Sequence, residues 1–257
     1  MNKLQQQLRM SVDPDQKTKS DDIYQTERPY KHFVFDEEVV SVFPDMISRS
    51  VPGYWLSNQS IGIMSARYAK PSTNIYDLGC SLGASTYSIL KQNTLNGAQI
   101  IAVDSSKEMV QHYKSALFKQ FPDAPVHIHC ANICDFPLEN ASVVILHYTL
   151  QFVPADKRTA LLAKIRSALA PDGVLLLSEK IRFDDEKMEH DIRTWHHDYK
   201  AAQGYSPLEI EQKARDIQYS MQTDTWNTLH QRVKEAGYSK CTLWMRCYGF
   251  SSFVVQP

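Results

Sequence analysis

The sequence predicts an α/β fold, a mostly parallel, doubly wound sheet with helices on both faces. Three observations carry that expectation. From Asn74 onward, apolar runs of strand length alternate with stretches of helical periodicity. The first run, Asn74-Ile75-Tyr76-Asp77-Leu78, passes directly into Gly79-Cys80-Ser81-Leu82-Gly83 and then into a helix. The second run, Gln99-Ile100-Ile101-Ala102-Val103, ends on Asp104. An acid at the second strand end, roughly twenty residues past the glycines, is the usual acceptor for ribose hydroxyls.

The elements follow in order. Residues 1–32 are polar, rich in Gln, Lys and Asp, and aperiodic, so a disordered, mobile tail is expected there. Residues 33–257 read as a single domain. From Phe35 to Tyr54 the apolar residues Val39, Val40, Val42, Phe43, Met46 and Ile47 recur at helical spacing and stop near Ser50-Val51-Pro52-Gly53. With a second helix near 57–68 they form a helical cap over residues 33–70. Strands are expected near 74–78, 99–104, 126–129, 142–147 and 173–178, and helices near 84–92, 106–120 and 156–169. Residues 184–222 then hold charges and aromatics at helical spacing without a strand, which reads as an inserted helical lobe. A helix at Thr225–Ala236 precedes two strands, Cys241–Trp244 and Gly249–Val255, expected to pair antiparallel at the sheet edge.

Bulk composition narrows the function. The chain has 257 residues, with 28 Lys and Arg against 29 Asp and Glu and a formal charge of −1. No basic excess is available to hold a polyanion such as tRNA directly, and a small-molecule substrate is the simpler expectation. The five cysteines, at positions 80, 130, 134, 241 and 247, form neither a disulfide framework nor a paired C-x-x-C zinc pattern. They suit a reducing cytoplasm. No signal peptide is recognised, and no apolar run approaches the roughly twenty residues that span a bilayer. No metal site is expected: His127 and His129 read as sheet surface, and in His196-His197-Asp198 neighbouring helical residues point to different faces. Cys80 lacks an adjoining base, so it reads as packing rather than as a nucleophile.

In a doubly wound sheet, ligands lie across the carboxyl ends of the strands where the chain order reverses. That rule selects Gly79, Cys80, Ser81, Asp104, Ser105, Asn132, Ile133 and His147 as ligand-binding candidates. Asn132 is suited to adenine nitrogens and Ile133 to the adenine face, whereas His147 is equally readable as a structural histidine. The pattern Asp-x-Gly-x-x-x-Gly, followed by an acidic strand end, resembles the S-adenosyl-L-methionine (SAM) pocket of class I methyltransferases. It implies a Rossmann-like class I methyltransferase fold, a seven-stranded mostly parallel sheet with an antiparallel C-terminal hairpin strand.

Longer blocks carry a narrower resemblance. Val42-Phe43-Pro44-Asp45-Met46-Ile47, Arg49-Ser50-Val51-Pro52-Gly53-Tyr54, Tyr76 to Ala84, Tyr148-Thr149-Leu150-Gln151-Phe152, Leu177-Ser178-Glu179-Lys180 and His196-His197-Asp198 together resemble the carboxy-S-adenosyl-L-methionine synthase family over residues 33–255. The resemblance implies that SAM is bound as a substrate and that prephenate loses its carboxyl group to leave phenylpyruvate. That carbon is placed on the SAM methyl group. It implies that the departing hydroxide of prephenate is the base, so that no catalytic side chain is assigned. The protein's task is then proximity and exclusion of water. It also implies a homodimer in which the lobe of one subunit closes the other's site. The product would pass to a tRNA carboxymethyltransferase acting on wobble uridine. By position, the resemblance adds Tyr54 to the ligand contacts.

Three positions depart from the family pattern. His147 stands where the family has Asn, and Asn132 where it has Asp. An imidazole at 147 brings a larger ring and a titration, either weakening binding or making it pH-dependent. After Gln212-Lys213 the family has an arginine that reaches the product carboxylate across the subunit boundary, and here Ala214 stands in its place. Arg215 is one residue on, rotated about 100° around a helix, which leaves Arg215 and Lys213 as candidate replacements. The alternatives are an ordinary SAM-dependent methyltransferase, a relative that has lost carboxylation, and a non-catalytic SAM-binding protein.

Overall fold

The chain gives its first strand the near-continuous apolar character of a parallel strand covered on both faces. In the computed structural model, which describes residues 19–92, 95 and 97–257, β1 (Asn74–Leu78) is buried along its whole length. It pairs in parallel with β2 (Gln99–Asp104) on one side and with β4 (Ala141–His147) on the other. β3 (Val126–Cys130) lies outside β2, and β5 (Leu169–Lys180) continues the parallel run beyond β4. The full order is β3-β2-β1-β4-β5-β7-β6, with β6 at Lys240–Cys247 and β7 at Phe250–Gln256.

The C-terminal hairpin forms at the sheet edge as expected. Within it β7 inserts between β5 and β6, antiparallel to both. Its residues Phe253 and Val255 are fully buried, so the apolar alternation of β7 draws it inward. β6, with its polar outer residues, is left at the edge.

Helices close both faces. On one face α5 (Ala155–Ala168) and α8 (Trp226–Glu235) bury Leu161, Leu162, Ile165, Leu229 and Val233 against Val144, Leu146, Leu175 and Phe253. On the other, α2 (Tyr54–Tyr68), α3 (Ala84–Leu90) and α4 (Lys107–Gln120) bury Ile61, Tyr87, Tyr113 and Leu117 against Ile75, Ile100, Val143 and Ile145. Helix starts carry side-chain caps: Asp36 accepts from the Val39 N–H at the head of α1 (Glu37–Ser50), and Ser106 accepts from the Met109 N–H at the head of α4.

After β5 the chain forms the lobe helices α6 (Glu186–Ala202) and α7 (Pro207–Ile217). The head of α7 is a reciprocal capping box between Ser206 and Glu209 with Pro207 behind the cap. The expected mobile tail falls in two parts. Residues 1–18 lie outside the described residues, and residues 19–32 lie as a strap against the lobe. Asp21 is 1% exposed. Its carboxylate accepts from the Tyr205 hydroxyl. The Gln212 side chain donates to the Tyr24 and Thr26 carbonyls and accepts from the Arg28 N–H. The strap is held by hydrogen bonds and a buried carboxylate rather than by apolar periodicity.

Candidate functional site

The sheet order reverses between β1 and β4, and a cavity of about 570 Å³ opens there at the carboxyl ends of the strands. All nine residues selected from the sequence, Tyr54, Gly79, Cys80, Ser81, Asp104, Ser105, Asn132, Ile133 and His147, line it.

The turn from β1 into α3 supplies its floor. Gly79 and Gly83 take φ of 76° and 83°, and Ser81 takes 50°. A Cβ on Gly79 would stand 2.3 Å from Thr149 Cγ2 and one on Gly83 2.1 Å from the Tyr113 ring, so both positions require glycine on space as well as on φ. The Gly79 and Cys80 N–H groups donate to the Val103 carbonyl, at 2.7 and 3.1 Å, which ties the turn to β2.

Asp104 then holds the turn in place. Its Oδ2 accepts from the Ser81 N–H at 2.8 Å and its Oδ1 from the Ser106 N–H at 2.9 Å. Burial pushes its carboxyl up, while the N–H donors of Ser106, Ser81 and Ser105 pull it back. A carboxylate has about four acceptor positions, so acceptor capacity remains for a ligand's hydroxyl. Asp77, deeper in β1, is raised to about 6 by burial and accepts from the Thr86 hydroxyl at 2.8 Å. Asn132 Oδ1 accepts from the Cys134 N–H at 2.9 Å, leaving its amide nitrogen as a donor. The glycine cradle, the acceptor capacity of Asp104 and the Asn132 amide suit a nucleoside-bearing ligand of the SAM type.

His147 is fixed from two sides. Its Nε2 lies 2.8 Å from the Ser57 hydroxyl, and its ring stacks on Tyr54 at 5.2 Å between centroids and 21° between planes. Burial pushes its pKa down to about 3. The imidazole is therefore neutral through the physiological range, and the pH-dependent binding expected of a histidine here is not what this environment gives. Tyr54 itself is buried, and burial raises its phenol to about 12.

The rest of the lining comes from β5 and the lobe, which carry the sequence blocks at 178–180 and 196–198, the latter expected to serve helix packing and substrate-side hydrogen bonds. Lys180, Arg193, His196, His197, Lys200 and Lys213 all line the cavity. Lys213 is engaged: its Nζ donates to Ser50 Oγ at 2.9 Å and stands 3.8 Å from Asp21 Oδ2. Ala214 also lines the cavity, so the position where the family has its arginine faces this chain's own cavity and brings only a methyl group. Arg215 turns away: its Nε donates to Asp216 Oδ1 at 3.0 Å and its Nη2 to the Arg28 carbonyl at 3.1 Å. Of the two candidate replacements, only Lys213 reaches the cavity. The lobe residues line the cavity of the chain they belong to, whereas the resemblance implied closure of a partner's. Their positional signal was present in the sequence blocks; their convergence required the lobe to fold over the sheet.

Among the described residues no group of three His, Cys, Asp or Glu is arranged to hold a metal ion. His127 Nε2 pairs instead with Gln99 Oε1 at 3.1 Å, and His129 packs on Phe136. Cys80 is buried, and burial raises its thiol well above the usual range. No helix among the described residues is long and apolar enough to cross a membrane.

Comparison with known proteins places these features in context. A family model described as a methyltransferase domain matches residues 75–173. A carboxy-S-adenosyl-L-methionine synthase of Geobacter sp. (strain M21) is 45% identical over 238 residues, covering 92% of this chain and 98% of the relative. One from Aeromonas salmonicida (strain A449) is 47% identical over 222 residues, covering 86% and 90%. Among solved structures, the human N-acetylserotonin methyltransferase in complex with SAM superposes with a TM-score of 0.57 at 17% identity, over 85% of this chain and 55% of that one. The magnesium protoporphyrin IX methyltransferase of Synechocystis PCC 6803 gives 0.53 at 13% identity, over 88% and 87%. These two likenesses establish a class I methyltransferase fold.

Proposed function

The chain belongs to the carboxy-S-adenosyl-L-methionine synthase family, and from that premise we propose that it converts SAM and prephenate into carboxy-SAM and phenylpyruvate. The reaction balances with release of one water: the hydroxyl that leaves prephenate takes up a proton from the SAM methyl group, and the carboxyl carbon takes that proton's place.

The observation that carries this reading is the two-sided cavity. One side, Gly79 to Ser81, Asp104, Ser105, Asn132, Ile133, Tyr54 and His147, is the proposed SAM side. The other presents Lys180, Lys200 and Lys213 from elements that a nucleoside site does not need. Prephenate is a dicarboxylate, and buried ammonium groups are suited to receive it. Apolar Phe33, Phe35, Phe43 and Phe152 line the same cavity and keep bulk water out of it. No side chain is assigned as general base.

The product would supply the carboxymethyl group for wobble uridine in tRNA through a separate tRNA carboxymethyltransferase. The formal charge of −1 supports that division, since this chain has no basic excess with which to hold the nucleic acid. A cytoplasmic location is in keeping with five unpaired cysteines.

Mass spectrometry of the ligand pool after incubating the protein with SAM and prephenate tests the reading. A species one carboxyl group heavier than SAM, formed only with prephenate and together with phenylpyruvate, is the expected result. SAM left unchanged with no phenylpyruvate overturns it. That outcome would favour methyl transfer to another acceptor, the second reading that Ala214 keeps open.

A further inference from the structure

Lys200 stands out among the cavity's cations. It is 8% exposed and lines the cavity. No side-chain hydrogen bond or ion pair engages its Nζ among the described residues, whereas Lys213 has Asp21 and Ser50. A buried ammonium without an anion is costly to maintain. The charged groups around Lys200 do not offset that cost. From β5 comes Lys180, partly buried over the Phe250 ring, and from α7 comes Lys213. Its own helix adds Arg193, His196 and His197. The acids nearby act elsewhere: Asp21 on Lys213, Glu189 on Lys180 and Asp198 on His197. Burial first, then Lys180 and Lys213, lower the Lys200 ammonium to about 7. Burial likewise lowers Lys180.

We infer that Lys200, with Lys180 supporting it, is the carboxylate-binding group of this cavity, receiving the carboxylate of the donor and then that of the carboxylated product. The inference rests on the synthase reading of the same cavity. It assigns the leading role neither to Arg215, which faces away, nor to Lys213, whose Nζ is already engaged by Ser50 and Asp21. An anion on Lys200 removes the electrostatic reason for its low proton affinity, so binding draws a proton from solution. Above pH 7 the free lysine is increasingly neutral, and affinity for the anion falls as pH rises.

The test compares Lys200→Met, Lys200→Arg, Lys180→Met and Arg215→Gln with the unaltered chain. Losing a charge-assisted contact in Lys200→Met is expected to raise KM for prephenate by about tenfold or more, with the Kd for SAM unchanged. Lys200→Arg is expected to recover most of that loss, Lys180→Met to show a smaller rise, and Arg215→Gln to behave as the unaltered chain. Calorimetry at pH 8 in buffers of different ionisation enthalpy is expected to show proton uptake on carboxy-SAM binding, but not on SAM binding. Lys200→Met should abolish that uptake. An unchanged KM for prephenate in Lys200→Met, or proton uptake that persists in it, overturns the inference. If the unaltered chain makes no carboxy-SAM from prephenate, the donor assignment fails separately. The preference for carboxy-SAM over SAM then decides: its loss in Lys200→Met upholds the carboxylate role, and its retention refutes it.

Discussion

His147 shows how strongly a side chain's surroundings determine its chemistry. In sequence it is a group that titrates near neutrality, but stacked on Tyr54 and hydrogen-bonded to Ser57 it stays neutral down to about pH 3. The depressed proton affinity has a consequence for stability. In the unfolded chain the imidazole charges below about pH 6.5, while in the folded chain it does not, so stability is full above that pH and declines as pH falls toward 3. The decline approaches about 1.4 kcal/mol per pH unit for one such group. His196, also lowered to about 3, chiefly by burial, adds to it. Urea unfolding at pH 7 and pH 5 is expected to show a smaller difference for His147→Asn than for the unaltered chain, and an equal difference would contradict this account. The glycine-turn side of the site was legible because Gly79, Asp104 and their spacing encode a backbone conformation. The cationic wall was not, because Lys180, Lys200 and Lys213 come from three elements that no local pattern joins.

The β1–α3 turn is the element on which the site depends. Gly79 adopts φ of 76° beneath Thr149. Gly79→Ala adds the cost of a left-handed alanine, about 1–2 kcal/mol, to a contact that Thr149 or the turn must move to relieve. Loss of SAM binding by calorimetry, with the melting temperature lowered by several degrees, is the expected outcome. Near-normal SAM affinity would show that the turn has slack that the geometry denies. Most strand positions were readable from the sequence, since Asn74–Leu78 and Gln99–Asp104 are continuous apolar runs flanked by turn residues. The place of β7 was not, because antiparallel pairing fixes only that two strands are neighbours, and which of them faces β5 depends on tertiary burial. The strap over residues 19–32 carries no local signal for the same physical reason: its anchors, Asp21 and Tyr24, pair with residues from the far part of the chain.

At the scale of the whole molecule, the question is whether one chain suffices. Ala214, Lys213 and Lys200 line the cavity of the chain they belong to, while the family resemblance implies a homodimer sharing its sites. We expect light scattering at micromolar concentration to give twice the mass of the 257-residue chain. A monomer with full activity would establish that the lobe closes its own site unaided. The strap carries a different consequence, for the order in which the molecule is assembled. Gln212 bonds to Tyr24 and Arg28, partners 188 and 184 positions earlier in the chain. Contacts so far apart in sequence close the largest loops and reward the chain only after the intervening sheet exists. The strap is therefore expected to dock after the sheet and α7 are formed, and hydrogen exchange is expected to show it among the first parts to open. Because its Asp21 lies against Lys213, the last contacts to form are the ones that settle how much positive charge the finished cavity presents.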